Sequence, residues 1–563
     1  MLTNNRWKLL PACPDSLLRG VAALPSLLVQ LLYNRGLTDP RLFEAFLAGD
    51  NRLSCDPFSL PDMHQAVSRI FRALLGGEKI LVFGDFDADG MTATVVLVEG
   101  LQALGGDVTV YLPHRSEEGH GLNLSALEGF KQAGISLVVT VDCGITSAPE
   151  VERALQLGVD VVITDHHTVP ANMPRACAVI NPKRSDSCYG YPHLAGVGVA
   201  FKLLEALYSG AGRAVEPADA LCLVSLGTIA DMSPLTGENR FFVKRGLVSL
   251  VATKRLGIAA LLKSAGLVSE EVSSRSVAWE LAPRLNAASR IEHARIGYNL
   301  LRTRSVEEAE HLACLLEEVN RERRTLLDVH WNRAREKVLE NQLGQPILLV
   351  CDPSFPAGIC GLVASRLTDE FRRPAIVLQT GEESTRGSCR SIPEFDIIAA
   401  LDQCSDLFTQ FGGHPAAAGF SMPTGYLDQL KRRLLSQAEH ELSGVELSRI
   451  IKIDAEVEPT AFLGDAFKMT QQLAPFGQGN PVPVFLAKDV EVLEAHLVGN
   501  GGHHLKMKLR AGKTVWQAIG FDLGGQSVAT GRRVDVVYNP QLNRWNGKES
   551  MELNIIDFRL SLS

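Results

Sequence analysis

From residue 79 onward the chain repeats one pattern, a short apolar, β-branched run followed by a stretch with helical spacing. The runs are Lys79–Phe83, Asp107–Leu112, Ile135–Val141, Val159–Thr164 and Ala176–Ile180. Their spacing of roughly 20 to 30 residues fits repeated strand–helix units. Parallel strands need such helical crossovers, so the pattern predicts an α/β fold built on a mainly parallel sheet. Ligands of such sheets bind beyond the carboxyl ends of the strands, and here the polar clusters fall at those ends.

The remainder of the 563 residues exceeds what one core can hold. The parallel-sheet domain is expected over 61–304, behind an N-terminal helical segment, 1–60. Residues 305–340 predict one long linking helix, with Ser305 and Glu308 in capping-box spacing. Arg321, Arg323, Arg324, Arg333, Arg335 and Lys337 on it suit either a solvated link or a basic wall along a nucleic-acid channel. A second α/β domain is expected over 341–445. Residues 446–563, with alternating runs such as His504–Leu509 and Val534–Tyr538 and a turn at Asn543–Gly547, predict a small β-barrel of the OB type.

The composition, 46% hydrophobic and 21% charged, is that of a globular protein, and no run approaches the ~18 apolar residues that span a bilayer. The apolar stretch Gly20–Tyr33 lacks a basic start and a small-residue cleavage site, so it is expected to be a short buried helix. Eleven cysteines form no C-x-x-C pair, which predicts free thiols and a cytoplasmic location. A net charge of −8 does not exclude a nucleic-acid partner, because a local basic groove matters more than the total.

The strongest chemical signal is Gly84-Asp85-Phe86-Asp87-Ala88-Asp89-Gly90, directly after a strand. Two carboxylates about 4 Å apart repel by roughly 4 kcal/mol at an effective dielectric of about 20. A divalent cation removes that penalty. A calcium EF-hand does not fit, since no Glu stands at the twelfth loop position and the flanks are strand and helix. Val141-Asp142-Cys143-Gly144 and Ile163-Thr164-Asp165-His166-His167 place further ligands at neighbouring strand ends, and Gly227–Asp231 closes an apolar helical run with another Asp. Mixed Asp and His ligation favours Mn²⁺ and admits Mg²⁺. Two ions about 3.5–4 Å apart would serve displacement at phosphorus, with Asp142 as the bridging carboxylate.

Asp165-His166-His167 resembles the motif that names the DHH phosphoesterases. Gly84–Gly90, Val141–Gly144 and Gly227–Asp231 match the other metal motifs of that superfamily in order and spacing. Leu31–Gly36, Asp56–Phe58 with Pro61–Met63, Leu194–Ala200 and Pro283–Ala288 are similar to segments of its RecJ branch. Phe411-Gly412-Gly413-His414 with Ala417–Gly419 resembles the DHHA1 substrate-binding module, and Ala474–Pro481 the opening of the RecJ OB-type domain. The resemblance implies a single-stranded-DNA exonuclease of 5′→3′ polarity that releases 5′-mononucleotides in DNA repair and recombination. It implies metal ligation by Asp85, Asp87, Asp142, His166 and Asp231 of two ions, Mn²⁺ or Mg²⁺. His167, Asp142 and Asp165 would be catalytic, His167 as charge stabiliser, proton donor or support for a ligand, and Asp89 would brace the loop. Arg284, Asn286, Ser388, Arg390, Ser391 and His414 would hold the substrate. In the barrel, Phe476, Tyr538 and Trp545 are either stacking platforms, as OB folds use, or core. A monomer working with single-strand-binding protein and a RecQ-type helicase, away from membranes, is implied as well.

Four departures from the pattern stand out. Phe83 stands where some members carry histidine, Phe355-Pro356 replaces a Trp-His pair, and Ser289 and Cys389 replace glycines. Two rival readings remain at this point. One is hydrolysis of short oligonucleotides or cyclic dinucleotides, which would not need a barrel domain. The other is an inactive DNA-binding scaffold, which would have lost metal ligands.

Overall fold

Runs of β-branched residues such as Ile135–Val141 form strands buried on both faces, because helices cover both sides of the sheet they build. The computed structural model describes residues 5–561 except 22, 116, 214–216, 269–271 and 546–547. The chain forms two units. One comprises Cys55–Ser233 and Arg245–Leu447; the other comprises Met1–Ser54, Pro234–Lys244 and Ser448–Ser563.

The first unit holds the expected parallel sheet, in the order Asp107–Tyr111, Lys79–Gly84, Ile135–Val141, Asp160–Thr164, Ala178–Ile180. All four pairings are parallel. The chain runs from Lys79–Gly84 to an edge and then returns to the other side, so the connections diverge between Lys79–Gly84 and Ile135–Val141. That is the switch point where doubly wound sheets open a crevice. The same unit carries a mixed sheet in the order Gln410–His414, Ala417–Pro423, Ser384–Arg390, Ala375–Thr380, Leu348–Cys351.

The helix Val306–Asn341 runs between these two sheets in the sequence. Its capping is half of what the spacing predicts. The Ser305 hydroxyl accepts from the Glu308 amide, but the Glu308 carboxylate turns to the Thr303 hydroxyl. Its basic side chains also divide. Arg333 and Lys337 both reach the buried Asp352 at 2.8 Å, and Arg335 reaches Glu370 at 2.6 Å, so this end ties the helix to the second sheet's domain. Arg321 and Arg324 are exposed.

In the second unit a five-stranded barrel closes in the order Phe485–Val498, His504–Ala511, Thr514–Gly520, Lys548–Leu560, Arg533–Trp545 and back to Phe485–Val498. One parallel pairing, Thr514–Gly520 with Lys548–Leu560, completes OB topology. Asn543–Trp545, expected in a turn, extend the strand instead and pair with Lys548–Ser550. The N-terminal segment shares the barrel's core: Leu28, Leu32, Phe43 and Phe46 pack in one cluster with Phe485 and Tyr538. Within Gly20–Tyr33 the short helix with buried residues is Ser26–Asn34, and a separate helix without any, Asp15–Gly20, ends where the stretch begins. Arg240, fully buried, donates to the carbonyls of Phe46, Gln472, Leu473 and Ala474 in the same unit. All eleven cysteines are free.

Candidate metal centre

Asp85 and Asp87 leave the strand Lys79–Gly84 at the switch point. Asp87 caps the helix Ala88–Ala103, accepting from the Asp89 and Gly90 amides at 2.9 and 3.0 Å. Burial and the neighbouring Asp85 charge raise its pKa to about 6. Asp142 ends the adjacent strand in a left-handed conformation, φ 62°, rare for a residue with a side chain. That turn aims its carboxylate back across the switch point. Burial, followed by the charges of Asp89, Asp87 and Asp85, raises the Asp142 pKa well above the usual carboxylate range.

His166 follows the next strand, its Nε2 3.1 Å from Asp142 Oδ1 and 3.9 Å from Asp231 Oδ1. Asp231 arrives from the end of the helix Pro217–Ala230 and accepts from the Ser233 hydroxyl. Burial lowers the His166 pKa to about 4, leaving a neutral imidazole at neutral pH. Three sets of side chains bring ligand atoms within 4.8 Å of one another: Asp85, Asp87 and Asp142; Asp142, His166 and His167; Asp89, His166 and Asp231. Asp142 Oδ1 and His166 Nε2 are buried yet neither makes a hydrogen bond. Buried polar atoms are ordinarily paired, so this donor set fits hard divalent cations.

Asp165 lies apart from those sets. Its Oδ1 accepts from the His166 and His167 amides and from His167 Nδ1 at 2.7 Å, and its Oδ2 accepts from the Ile145 amide. Burial would raise its pKa, but these bonds outweigh burial and hold it below the usual range. Burial likewise pulls the His167 pKa down, and the Asp165 bond more than restores it. Asp89 accepts from the Gly196 and Val197 amides at 2.7 and 2.9 Å, which anchors the helix Gly196–Gly210. This explains the Leu194–Ala200 motif: a Cβ on Gly196 would stand 2.3 Å from Asp142 Oδ1.

A cleft of about 1070 Å³ opens from the centre, lined by His120, His167, Thr168 and, from the second sheet, Gly412, Gly413 and His414. The His167 and His414 rings are parallel, 6.1 Å apart.

Three expected substrate contacts are otherwise engaged. Arg284 is buried and bound through Nε to Glu317 at 2.6 Å and through Nη1 to Glu280 at 3.0 Å. The Asn286 side-chain oxygen accepts from the Ala88 amide and so supports the acidic loop. The Ser391 hydroxyl donates to the Phe395 carbonyl. Arg390 has no carboxylate partner among the described residues: one nitrogen donates to the Cys389 carbonyl, and its guanidinium packs close to Gly361, where an added Cβ would stand 3.3 Å from Nη2. Arg290, not foreseen from the sequence, lies in the field of Arg115, Arg323 and Arg390. Burial and then these like charges push its pKa well down, and one of its nitrogens donates to the Gly358 carbonyl. In the barrel, Tyr538 is a core residue whose hydroxyl donates to the Val457 carbonyl, not a stacking platform. Phe476 is half-buried against the same core, and the Trp545 side chain lies outside the described residues. Phe83 and Phe355 are buried core side chains.

Three family models match the chain: the DHH family, N-terminal domain, over residues 79–228; the DHHA1 domain over 344–443; and the RecJ OB domain over 453–557. The single-stranded-DNA-specific exonuclease RecJ of Bacillus subtilis is 36% identical over 539 residues, 95% of this chain and 68% of that protein. The chain belongs to the RecJ family. Thermus thermophilus RecJ in complex with Mn²⁺ is 30% identical, with a TM-score of 0.87 over 100% of this chain and 81% of that one. The Mg²⁺ complex of the same RecJ gives a TM-score of 0.80 at 29% identity, over 99% and 79%.

Proposed function

We propose that this chain is a single-stranded-DNA-specific exonuclease that hydrolyses phosphodiester bonds from the 5′ end and releases 5′-mononucleotides. The observation that carries the reading is the convergence of Asp85, Asp87, Asp142, His166 and Asp231 at the switch point, around two buried atoms without partners. These five side chains would hold two divalent ions, Mn²⁺ or Mg²⁺, with Asp142 shared between them. Bound there, the ions supply positive charge to the phosphate and a water acidic enough to attack it.

The rest follows from the chain's own groups. His167, fixed at Nδ1 by Asp165, offers Nε2 to the cleft, where it stabilises charge or delivers a proton to the leaving oxygen. Arg390, with Arg290, grips a backbone phosphate, since a guanidinium fork matches phosphate oxygens. His414 and the Gly412-Gly413 backbone bound the nucleotide on the other side of the cleft. The barrel would add a further grip on the strand, since OB folds bind single strands. A role in repair and recombination, as a cytoplasmic monomer beside single-strand-binding protein and a RecQ-type helicase, accords with this activity.

The test is digestion of 3′-end-labelled single-stranded DNA with Mn²⁺, beside a duplex and an Asp142→Ala protein. A shrinking labelled ladder, absent in both controls, is expected. Immediate release of labelled mononucleotide would reverse the polarity. An intact strand alongside cleaved dinucleotides would point to short-oligonucleotide hydrolysis.

A further inference from the structure

His120 stands beside the centre yet belongs to none of the ligand sets. It sits on the loop between the strand Asp107–Tyr111 and the helix Leu124–Gln132, far from the DHH motif in sequence. Its Nδ1 lies 3.1 Å from Asp85 Oδ1. Its ring meets the Phe86 ring edge-on at 6.5 Å and the His167 ring at 5.0 Å. The imidazole is 37% exposed and lines the cleft, whereas the Asp85 side chain it contacts is only 6% exposed.

The neighbouring strand position offers Asp85 nothing comparable. Phe83 is fully buried, stacked on Tyr111 at 5.3 Å and edge-on to Phe130, and presents only carbon. A carboxylate in a cluster of like charges is pushed toward whichever rotamer separates the charges best. Asp85 must instead face Asp87 and Asp142. A fixed partner for one of its oxygens supplies that constraint, in the way that outer hydrogen-bond partners orient ligands at metal sites.

We propose that His120 is a positioning residue of the metal centre: its Nδ1–H holds Asp85 Oδ1 and so fixes the carboxylate for the ion shared by Asp85, Asp87 and Asp142. This rests on the metal-centre reading above. The device is a hydrogen bond from a separate loop, so its loss should weaken one ion site and leave the other intact.

The experiment is Mn²⁺ binding to the full chain, followed by the EPR signal of free Mn²⁺ and by calorimetry, with no DNA present. His120→Ala is compared with His120→Asn, whose side-chain amide nitrogen can take the place of Nδ1, and with His120→Gln, which mimics Nε2. Circular dichroism verifies that each variant folds. The expected result is two sites in the parent, one of them weakened about 10- to 100-fold in the Ala variant. Asn should restore that site to within a few-fold and Gln should not. Unchanged binding in the Ala variant would overturn the proposal, as would an Asn variant as weak as Ala or a rescue by Gln, which would make His120 a ligand through Nε2. A parent protein that binds no Mn²⁺ would instead overturn the metal-centre reading itself.

Discussion

Asp142 Oδ1 and His166 Nε2 lie 3.1 Å apart, both buried, and share no hydrogen bond. Asp142 is also crowded by Asp89, Asp87 and Asp85, which makes its ionised form costly in the metal-free protein. Asp142→Asn removes one of these charges. The variant is therefore expected to melt at a higher temperature than the parent in EDTA. With Mn²⁺ the order should reverse. A ligand at about 100 times its Kd stabilises by about 2.7 kcal/mol, and the variant forfeits most of that. Differential scanning calorimetry with EDTA and with Mn²⁺ checks both halves; a variant less stable in EDTA would argue against the charge-crowding account.

Binding of the ions should depend on pH through Asp87. Its folded-state pKa, about 6, lies above the unfolded carboxylate value, so in the metal-free protein the proton is favoured and stability falls as pH rises through 6. An ion must displace that proton. Mn²⁺ affinity should therefore fall as pH drops through 6, and Asp142, whose pKa is raised well above the usual carboxylate range, extends that fall to higher pH. His166, lowered to about 4, adds nothing to this slope until lower pH. Calorimetry in buffers of different ionisation heats measures the proton released. A flat affinity from pH 5 to 7 would refute this assignment.

Arg284 and Arg390 should separate cleanly when replaced by alanine. Arg284 is locked between Glu317 and Glu280, so its loss leaves carboxylates without a partner and costs on the order of 2 kcal/mol of stability. Arg390 has no carboxylate partner among the described residues, so its removal should leave the melting temperature near the parent's and raise KM for single-stranded DNA. Thermal melts and steady-state kinetics on one pair of proteins decide this. Equal destabilisation of both would remove Arg390 from the substrate site.

Asp165→Asn should damage turnover without damaging metal binding. The carboxylate accepts from His167 Nδ1, and an amide can donate there instead, which reverses the imidazole's orientation or tautomer. A loss of about 10²- to 10⁴-fold in kcat is expected, with KM and Mn²⁺ affinity within a few-fold of the parent's. Loss of Mn²⁺ would instead make Asp165 part of the ion site.

The strands and the acidic motifs are legible in the sequence because period and spacing are local properties. Lys79–Phe83 and Ile135–Val141 sit where their β-branched runs place them. Partners across long separations are not legible. Nothing near Arg284 in sequence announces Glu317, and nothing near Asp85 announces His120. The motif containing Arg284 and Asn286 is recognisable, but its side chains serve the loop and the helix beside the site, while Arg290, two turns further on, lies in the field of the other arginines. The N-terminal segment likewise looks separate in the sequence. Its hydrophobic face is visible there, but the barrel core it fills comes from residues after 448.

Gly196→Ala tests whether the second tier of the centre matters as much as its ligands. The Gly196 amide is held by Asp89, and its Cα abuts Asp142, where an added Cβ would stand 2.3 Å from Oδ1. The residue begins a helix at ordinary dihedrals, so alanine is not opposed by the backbone itself. What must give is the Asp142 carboxylate, already held by a strained φ of 62°. The variant should fold, lose Mn²⁺ affinity by at least about tenfold and lose nuclease activity in proportion, although position 196 contributes no ligand atom. Binding calorimetry beside circular dichroism reads this directly. Parent-like Mn²⁺ affinity in a folded Gly196→Ala protein would mean that Asp142 has room to move, and that its rotamer is not what defines the ion site.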